Sequence, residues 1–185
     1  DLYPIEFTVT GVEDWVPFEK NPVDMVESYE QKLRMELGAA TDNGLITLQE
    51  DVILTTGALI IEGKNVTIDL NGKSITTLST VYNPGVASAL IVAGKDATVT
   101  IKGNGSVNSL FNGYDIATDY DIPVESRGGK LIIEGGVYTG ISHAAYAANN
   151  GEITIKGGEF SVAEAGAYVI NCQDNKGTIT VEGGS

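Results

Sequence analysis

Cysteine, histidine and tryptophan occur once each in this chain of 185 residues, at Cys172, His143 and Trp15, and arginine only twice, at Arg34 and Arg127. A single cysteine excludes an intrachain disulfide. One cysteine with one histidine also excludes the usual nitrogen- and sulfur-ligated zinc sites. Cys172 falls in the apolar run Ala167-Tyr168-Val169-Ile170-Asn171-Cys172 and reads as a small buried hydrophobe. Bases number 11 against 25 acids, for a formal net charge of -14. Such a field repels phosphate backbones and anionic membranes, which argues against nucleic acid as a partner. Acidic polysaccharides would need an intervening divalent cation. No run of 18 apolar residues occurs, so no helical membrane span is expected. The chain opens on Asp1 with neither methionine nor a signal-peptide pattern. That opening suits a processed mature protein or a trimmed chain, and it permits secretion. The expected location is extracellular or cell-surface, with any lipid anchor supplied by residues absent from this chain.

Proline is scarce at 5 residues, glycine plentiful at 23, and 42% of residues are hydrophobic. This is a folded, turn-rich composition. Its organising feature is a recurring phrase: alternating apolar residues, a polar or charged residue, then glycine. Copies are Val66-Thr-Ile-Asp-Leu-Asn-Gly72, Val99-Thr-Ile-Lys-Gly103, Leu131-Ile-Ile-Glu-Gly-Gly136, Ile153-Thr-Ile-Lys-Gly-Gly158 and Ile179-Thr-Val-Glu-Gly-Gly184. First glycines are spaced by 31, 32, 22 and 26 residues. A period of that size, with strand alternation and no helix between copies, indicates a parallel β-solenoid.

Three strands per turn follow from two further registers. Leu59-Ile-Ile-Glu-Gly-Lys64 and Leu90-Ile-Val-Ala-Gly-Lys95 precede the phrase and lie 31 residues apart, with Ala145-Tyr-Ala147 and Tyr168-Val-Ile170 as later counterparts. Ile75, Val107, Tyr138 and Phe160 mark a position three or four residues after the glycine. Ile46-Thr-Leu-Gln-Glu50 is a degenerate first copy. Stacked rungs should align Ile68, Val99, Leu131, Ile153 and Ile179 in one internal column. Leu70, Ile101, Ile133, Ile155 and Val181 should form its neighbour. Asp69, Thr100, Ile132, Thr154 and Thr180 should face outward, Asp69 as a corner hydrogen-bonding residue.

Ahead of the solenoid, residues 1–20 hold an alternating strand, Ile5-Glu-Phe-Thr-Val-Thr10, and a linker. Residues 21–38 predict an amphipathic helix, with Asn21 as N-cap, Pro22 at the first helical position, Asp24 in the first turn and Gly38 as C-cap. Val26, Tyr29, Leu33 and Leu37 fall on its apolar face, with Val23 and Met25 beside them. Its role is to close the open end of the solenoid, residues 39–185. The expected fold is all-β: a right-handed, single-stranded parallel β-helix of about six coils with an N-terminal capping helix.

Gly63-Lys-Asn-Val-Thr-Ile-Asp-Leu-Asn-Gly-Lys-Ser-Ile-Thr76 resembles the opening coils of right-handed parallel β-helix proteins of the pectate-lyase-like superfamily. It is especially similar to secreted and surface proteins of gut Bacteroidetes. Leu37-Gly-Ala-Ala-Thr-Asp-Asn-Gly-Leu-Ile-Thr-Leu-Gln-Glu-Asp-Val-Ile-Leu54 fits the helix-then-strand start of that family. The likeness covers roughly residues 25–185. It implies the fold; the same coils serve lyases, hydrolases, esterases, adhesins and phage tailspikes.

Two consecutive coils are longer than the shortest, and the extra residues follow the third strand position in both, at 76–88 and 108–123. Insertions on one corner of adjacent coils build a raised wall, the usual binding face of a repeat protein. Ligand-binding candidates are Tyr82 and Asn83 in the first insertion and Tyr114, Asp115, Asp119, Tyr120 and Asp121 in the second, with Arg127 beyond it. Carboxylates interleaved with aromatics suit a sugar face. Asp115, Asp119 and Asp121 are also hard oxygen ligands for Ca²⁺, though not at EF-hand spacing. A glycosidase or lyase would draw its carboxylates from residues 112–127, but no motif of either class is present. Ser142 beside His143 does not by itself make a catalytic pair, since the base must reach the hydroxyl in space.

The leading expectation is a non-enzymatic binding or adhesion module directed at carbohydrate. A small polysaccharide lyase or glycoside hydrolase and a segment of a larger surface or phage assembly are the alternatives. The sequence stops at Gly183-Gly184-Ser185, one strand into a coil. Either the gene continues or another molecule covers that end, and self-association through it is expected.

Overall fold

The structure is a computed structural model that describes residues 28–77, 88–109, 122–163, 165, 167–173 and 176–185. Among these residues a helix, α1 (Tyr29–Ala39), precedes sixteen strands. The first coil is β1 (Gly44–Thr47), β2 (Val52–Leu54) and β3 (Leu59–Glu62). The second is β4 (Asn65–Asp69), β5 (Lys73–Thr77) and β6 (Leu90–Ala93); the third is β7 (Thr98–Lys102), β8 (Gly105–Ser109) and β9 (Val124–Arg127). Next come β10 (Lys130–Ile133), β11 (Val137–Gly140) and β12 (Ala145–Ala148), then β13 (Gly151–Ile155), β14 (Glu159–Val162) and β15 (Ile170–Cys172). β16 (Gly177–Val181) opens a sixth coil. Every third strand stacks in parallel on its predecessor. Sheet 1 runs β1-β4-β7-β10-β13-β16, sheet 2 runs β2-β5-β8-β11-β14 and sheet 3 runs β3-β6-β9-β12-β15. The chain is a parallel β-helix with three sheets around one apolar core.

Sheet 2 aligns Val52, Ile75, Val107, Tyr138 and Phe160 in one inward column, with the last four as the sequence predicts. Tyr138 stacks on Phe160 at 4.8 Å and its hydroxyl donates to Gly135 O at 2.8 Å. Burial pushes that phenol well above its usual pKa.

Sheet 1 corrects one register. Val66, not Ile68, pairs with Val99 and heads the column Leu131, Ile153, Ile179; Ile68, not Leu70, pairs with Ile101 and heads Ile133, Ile155, Val181. The outward partner of Thr100 is Thr67, and Asp69 pairs with Lys102. The slip arises because the second coil delays its glycine by two residues. Leu70 occupies that corner, fully buried, with its N–H donating to Lys102 O at 2.9 Å. Asp69 does bond locally at the corner, its Oδ1 accepting from Asn71 N at 3.1 Å. Sheet 3 carries a second slip, because Ala145–Ala147 pair with Ile170–Cys172. Tyr168 and Val169 precede that strand and are exposed.

Cys172 is exposed, not buried. It takes the inward position of Ile61, Val92, Ser126 and Ala147. No described strand stacks above that last rung to cover it.

The charges on sheet 1 also form a column. Asp69 lies 3.5 Å from Lys102, and one residue past the next three strands come Glu134, Lys156 and Glu182. Lys156 reaches Glu134 at 3.2 Å. Alternating signs on successive rungs favour this stacking over a slipped one. Lys156→Glu would leave carboxylates on three neighbouring rungs about 4.8 Å apart. The expected cost is about 1 kcal/mol at low ionic strength, shrinking in high salt. Thermal unfolding of both chains at two salt concentrations checks this.

α1 closes the first coil, but not as the sequence predicts at its ends. Ser28 is the N-cap: its Oγ accepts from Gln31 N at 3.2 Å, and Ser28 N donates to Gln31 Oε1 at 3.3 Å, a capping box. Asn21, Pro22, Val23, Asp24, Met25 and Val26 lie outside the described residues. Gly38 lies inside the last turn, and Ala40 is the C-cap, its N–H donating to Glu36 O. Leu33 and Leu37 are buried as expected, whereas Tyr29 is exposed. The last turn has no basic residue of its own. Lys64 supplies the charge from the end of the first coil, its Nζ donating to Leu37 O at 2.7 Å and Gly38 O at 3.2 Å.

Glu30 is a buried residue that sequence reasoning missed. Its carboxylate accepts from the N–H and hydroxyl of both Thr55 and Thr56, at 2.5–3.2 Å, and from Arg34. Arg34 in turn donates to Gly57 O and Ala58 O. The cluster bolts the helix to the turn between β2 and β3.

Candidate functional site

The expected binding face begins at one corner of the triangle. The long links leave sheet 2 after Thr77 and Ser109 and enter sheet 3 at Leu90 and Val124, so both join the same two sheets in adjacent coils. Tyr82, Asn83, Tyr114, Asp115, Asp119, Tyr120 and Asp121 lie outside the described residues, and with them the calcium candidates. Among the described residues no three His, Cys, Asp or Glu side chains group as metal ligands. Arg127 alone of the predicted set is described.

Arg127 lies on β9, a strand missed in the sequence because only Val124 of its four residues is apolar. Ser126 faces inward, fully buried, and its hydroxyl donates to Gly129 O at 2.6 Å. That bond lets a polar residue take a core position. Glu125 faces outward, in the column Ile60, Ile91, Glu125, Tyr146, Asn171. It is only 2% exposed, whereas Ile60 in the same column is 57% exposed. Arg127 grips both its oxygens, Nε to Oε1 at 2.5 Å and a terminal nitrogen to Oε2 at 2.9 Å. Ser88, at the root of the first link, donates to Oε2 at 3.0 Å. This carboxylate is an anchor that orients Arg127.

Along the column, Tyr146 and Asn171 continue the polar surface. His143, in the short link before β12, lies beside them, its ring 5.3 Å from that of Tyr146. Its Nε2 is 2.9 Å from Asn171 Nδ2 and its Nδ1 is 3.2 Å from Ser142 Oγ. Cys172 N donates to Asn171 Oδ1, which turns the amide NH₂ toward the ring. Nε2 is then the acceptor, and Nδ1 carries the hydrogen that Ser142 accepts. In that tautomer His143 has no lone pair facing Ser142 and cannot take its proton.

Polar burial is concentrated here. The buried polar side chains among the described residues are Glu30, Thr77, Ser88, Ser109, Glu125, Ser126, Ser142 and His143. All but Glu30 lie at the corner from sheet 2 to sheet 3 or on the strand just after it. Thr77 Oγ1 is buried there without a partner. Buried polar groups cost stability wherever packing is their only role.

No protein-family model matches this chain, and comparison with curated proteins and with solved structures returns no match to either.

Proposed function

We propose that this chain is a secreted or cell-surface β-helix module that binds carbohydrate without turning it over. The ligand face is the corner between sheets 2 and 3 with the adjoining outer surface of sheet 3. The observation that carries this reading is the collection of seven buried polar side chains at that one corner. Buried polar groups cost stability, and they are gathered at this corner among the described residues. Tyr146 supplies an aromatic face, Arg127 and Asn171 supply donors, and Glu125 holds Arg127 in place. Sugar rings bind on such combinations of flat apolar surface and fixed polar groups. The insertion residues Tyr82, Asn83, Tyr114, Asp115, Asp119, Tyr120 and Asp121 complete the proposed face. Calcium, if used, is held by the three aspartates. Self-association through the rung β14–β16, whose strands pair on one side among the described residues, belongs to the same reading as an adhesive contact.

A glycan array probed with the full chain, with and without calcium, tests this. Tyr146→Ala is expected to weaken binding about tenfold, equivalent to ~1.4 kcal/mol, with an unchanged melting temperature. Reducing ends or unsaturated sugars released from a bound polysaccharide would overturn the non-enzymatic reading. Binding that Tyr146→Ala leaves intact would overturn the assigned face.

A further inference from the structure

Two charges stand on the outer face of sheet 3 beyond its first strand, and they cancel. Among the outward positions of β6, β9, β12 and β15 only Glu125 and Arg127 are charged, both on β9. Arg127 holds both Glu125 oxygens, and the Glu125 side chain is 3% exposed against 31% for Arg127. The negative partner is sealed beneath the face, while the guanidinium reaches its surface without adding net charge.

Arg127, Tyr146 and Asn171 occupy three successive rungs of this face. At about 4.8 Å per rung they span about 10 Å along the solenoid axis. Ala148, the register partner of Arg127, adds only a methyl group to the same strip. Asn171 Nδ2 spends one hydrogen on His143 and has a second. The sequence of the two long links adds acid and no base. Residues 78–87 are uncharged, and 110–121 hold Asp115, Asp119 and Asp121.

We propose that the ligand of this face is an uncharged oligosaccharide laid along the solenoid axis, an inference that rests on the carbohydrate reading and narrows it. A uronate or a sulfated sugar would meet a guanidinium whose charge is already cancelled, on a chain of net charge -14 that repels it. It could take Arg127 only by displacing a carboxylate fixed in the fold. Leaving that carboxylate buried and unpaired costs more than the new pair contributes. A cationic amino sugar would instead meet the guanidinium as the exposed charge of the strip. Hydroxyl groups face neither penalty. They accept from guanidinium N–H groups and from the second Asn171 hydrogen, while a sugar ring lies on Tyr146.

An array of neutral, uronate, sulfated and amino glycans, probed with the full chain in EDTA and again in calcium, tests this. A neutral glycan should bind best, with an affinity that changes less than about twofold between roughly 20 and 500 mM salt. A charged ligand would lose affinity steeply over the same range. Glu125→Gln should raise affinity for a uronate or sulfated glycan by about tenfold at low salt, because it leaves the Arg127 charge unmatched. Adding Arg127→Gln should abolish that gain. An acidic or amino glycan preferred by the unsubstituted chain, with or without calcium, would overturn the proposal, as would steep salt dependence. So would a Glu125→Gln chain that is folded by circular dichroism yet gains nothing for anionic glycans. The salt series needs no variant, so it decides alone should Glu125→Gln not fold. Binding to no glycan of any class would sink the carbohydrate reading itself, and this narrowing with it.

Discussion

Replacing Gly105 with alanine is expected to lower stability by about 4 kcal/mol. Two costs combine at that residue. Its φ is +138°, a backbone region that side chains strongly disfavour. A Cβ there would also fall inside contact distance of Lys73 O and 2.8 Å from Leu70 Cβ, both in the rung beneath. Lys73 is the register partner of Gly105, so neither strand can move without breaking the ladder. Gly94→Ala separates the two costs. Gly94 has φ +78° but nothing within 4 Å of a new Cβ, so strain alone should cost about 1 kcal/mol. For a chain of this size the two variants should melt roughly 12 and 3 °C below the parent. Equal shifts in calorimetry would show that the close approach at Gly105 carries no energy.

The second large effect is electrostatic. Burial alone would raise the Glu30 pKa, but hydrogen bonds from Thr56, Thr55 and Arg34 outweigh it and bring it from 4.5 to about 2. A folded pKa below the unfolded one means stability that is complete above about pH 5 and lost as pH falls through the folded value. The difference corresponds to roughly 3 kcal/mol at neutral pH. Glu30→Gln keeps the shape but removes the charge and leaves Arg34 without its counter-ion. It should therefore cost about that much at pH 7 and progressively less toward pH 2. Asp51 works in the same direction, because the N–H and hydroxyl of Ser74 lower its pKa. The variant should keep a shallower acid slope for that reason. Denaturant unfolding from pH 7 to pH 2 reads this; parallel curves for the two chains would show that the carboxylate is not what holds α1.

The column Ile75, Val107, Tyr138, Phe160 was legible because each residue follows its own glycine at a near-constant distance. Val66 was misplaced by two residues because the second coil puts Leu70 and Asn71 ahead of its glycine, and the glycine was the marker being counted. β9 was missed because Ser126 takes a core position with its hydroxyl satisfied locally, which alternation of apolar residues cannot reveal. Cys172 was misjudged for the opposite reason: it does take an inward position, but on a rung with no described strand above it. The predicted ligand set follows from loop composition, and of that set only Arg127 lies among the described residues. Glu30 gave no sign at all, since its partners lie 25 and 26 residues further along the chain.

The sequence by itself determined the three-sided coil, the parallel stacking and the corner from which the long links depart. Alternation and glycine spacing are local properties, and repetition turns them into a fold. Only the tertiary structure decided which residue stacks on which, which outward positions are buried, and where polar side chains gather. Those depend on contacts between rungs, such as Ser88 with Glu125 across 37 residues, and no local pattern records them.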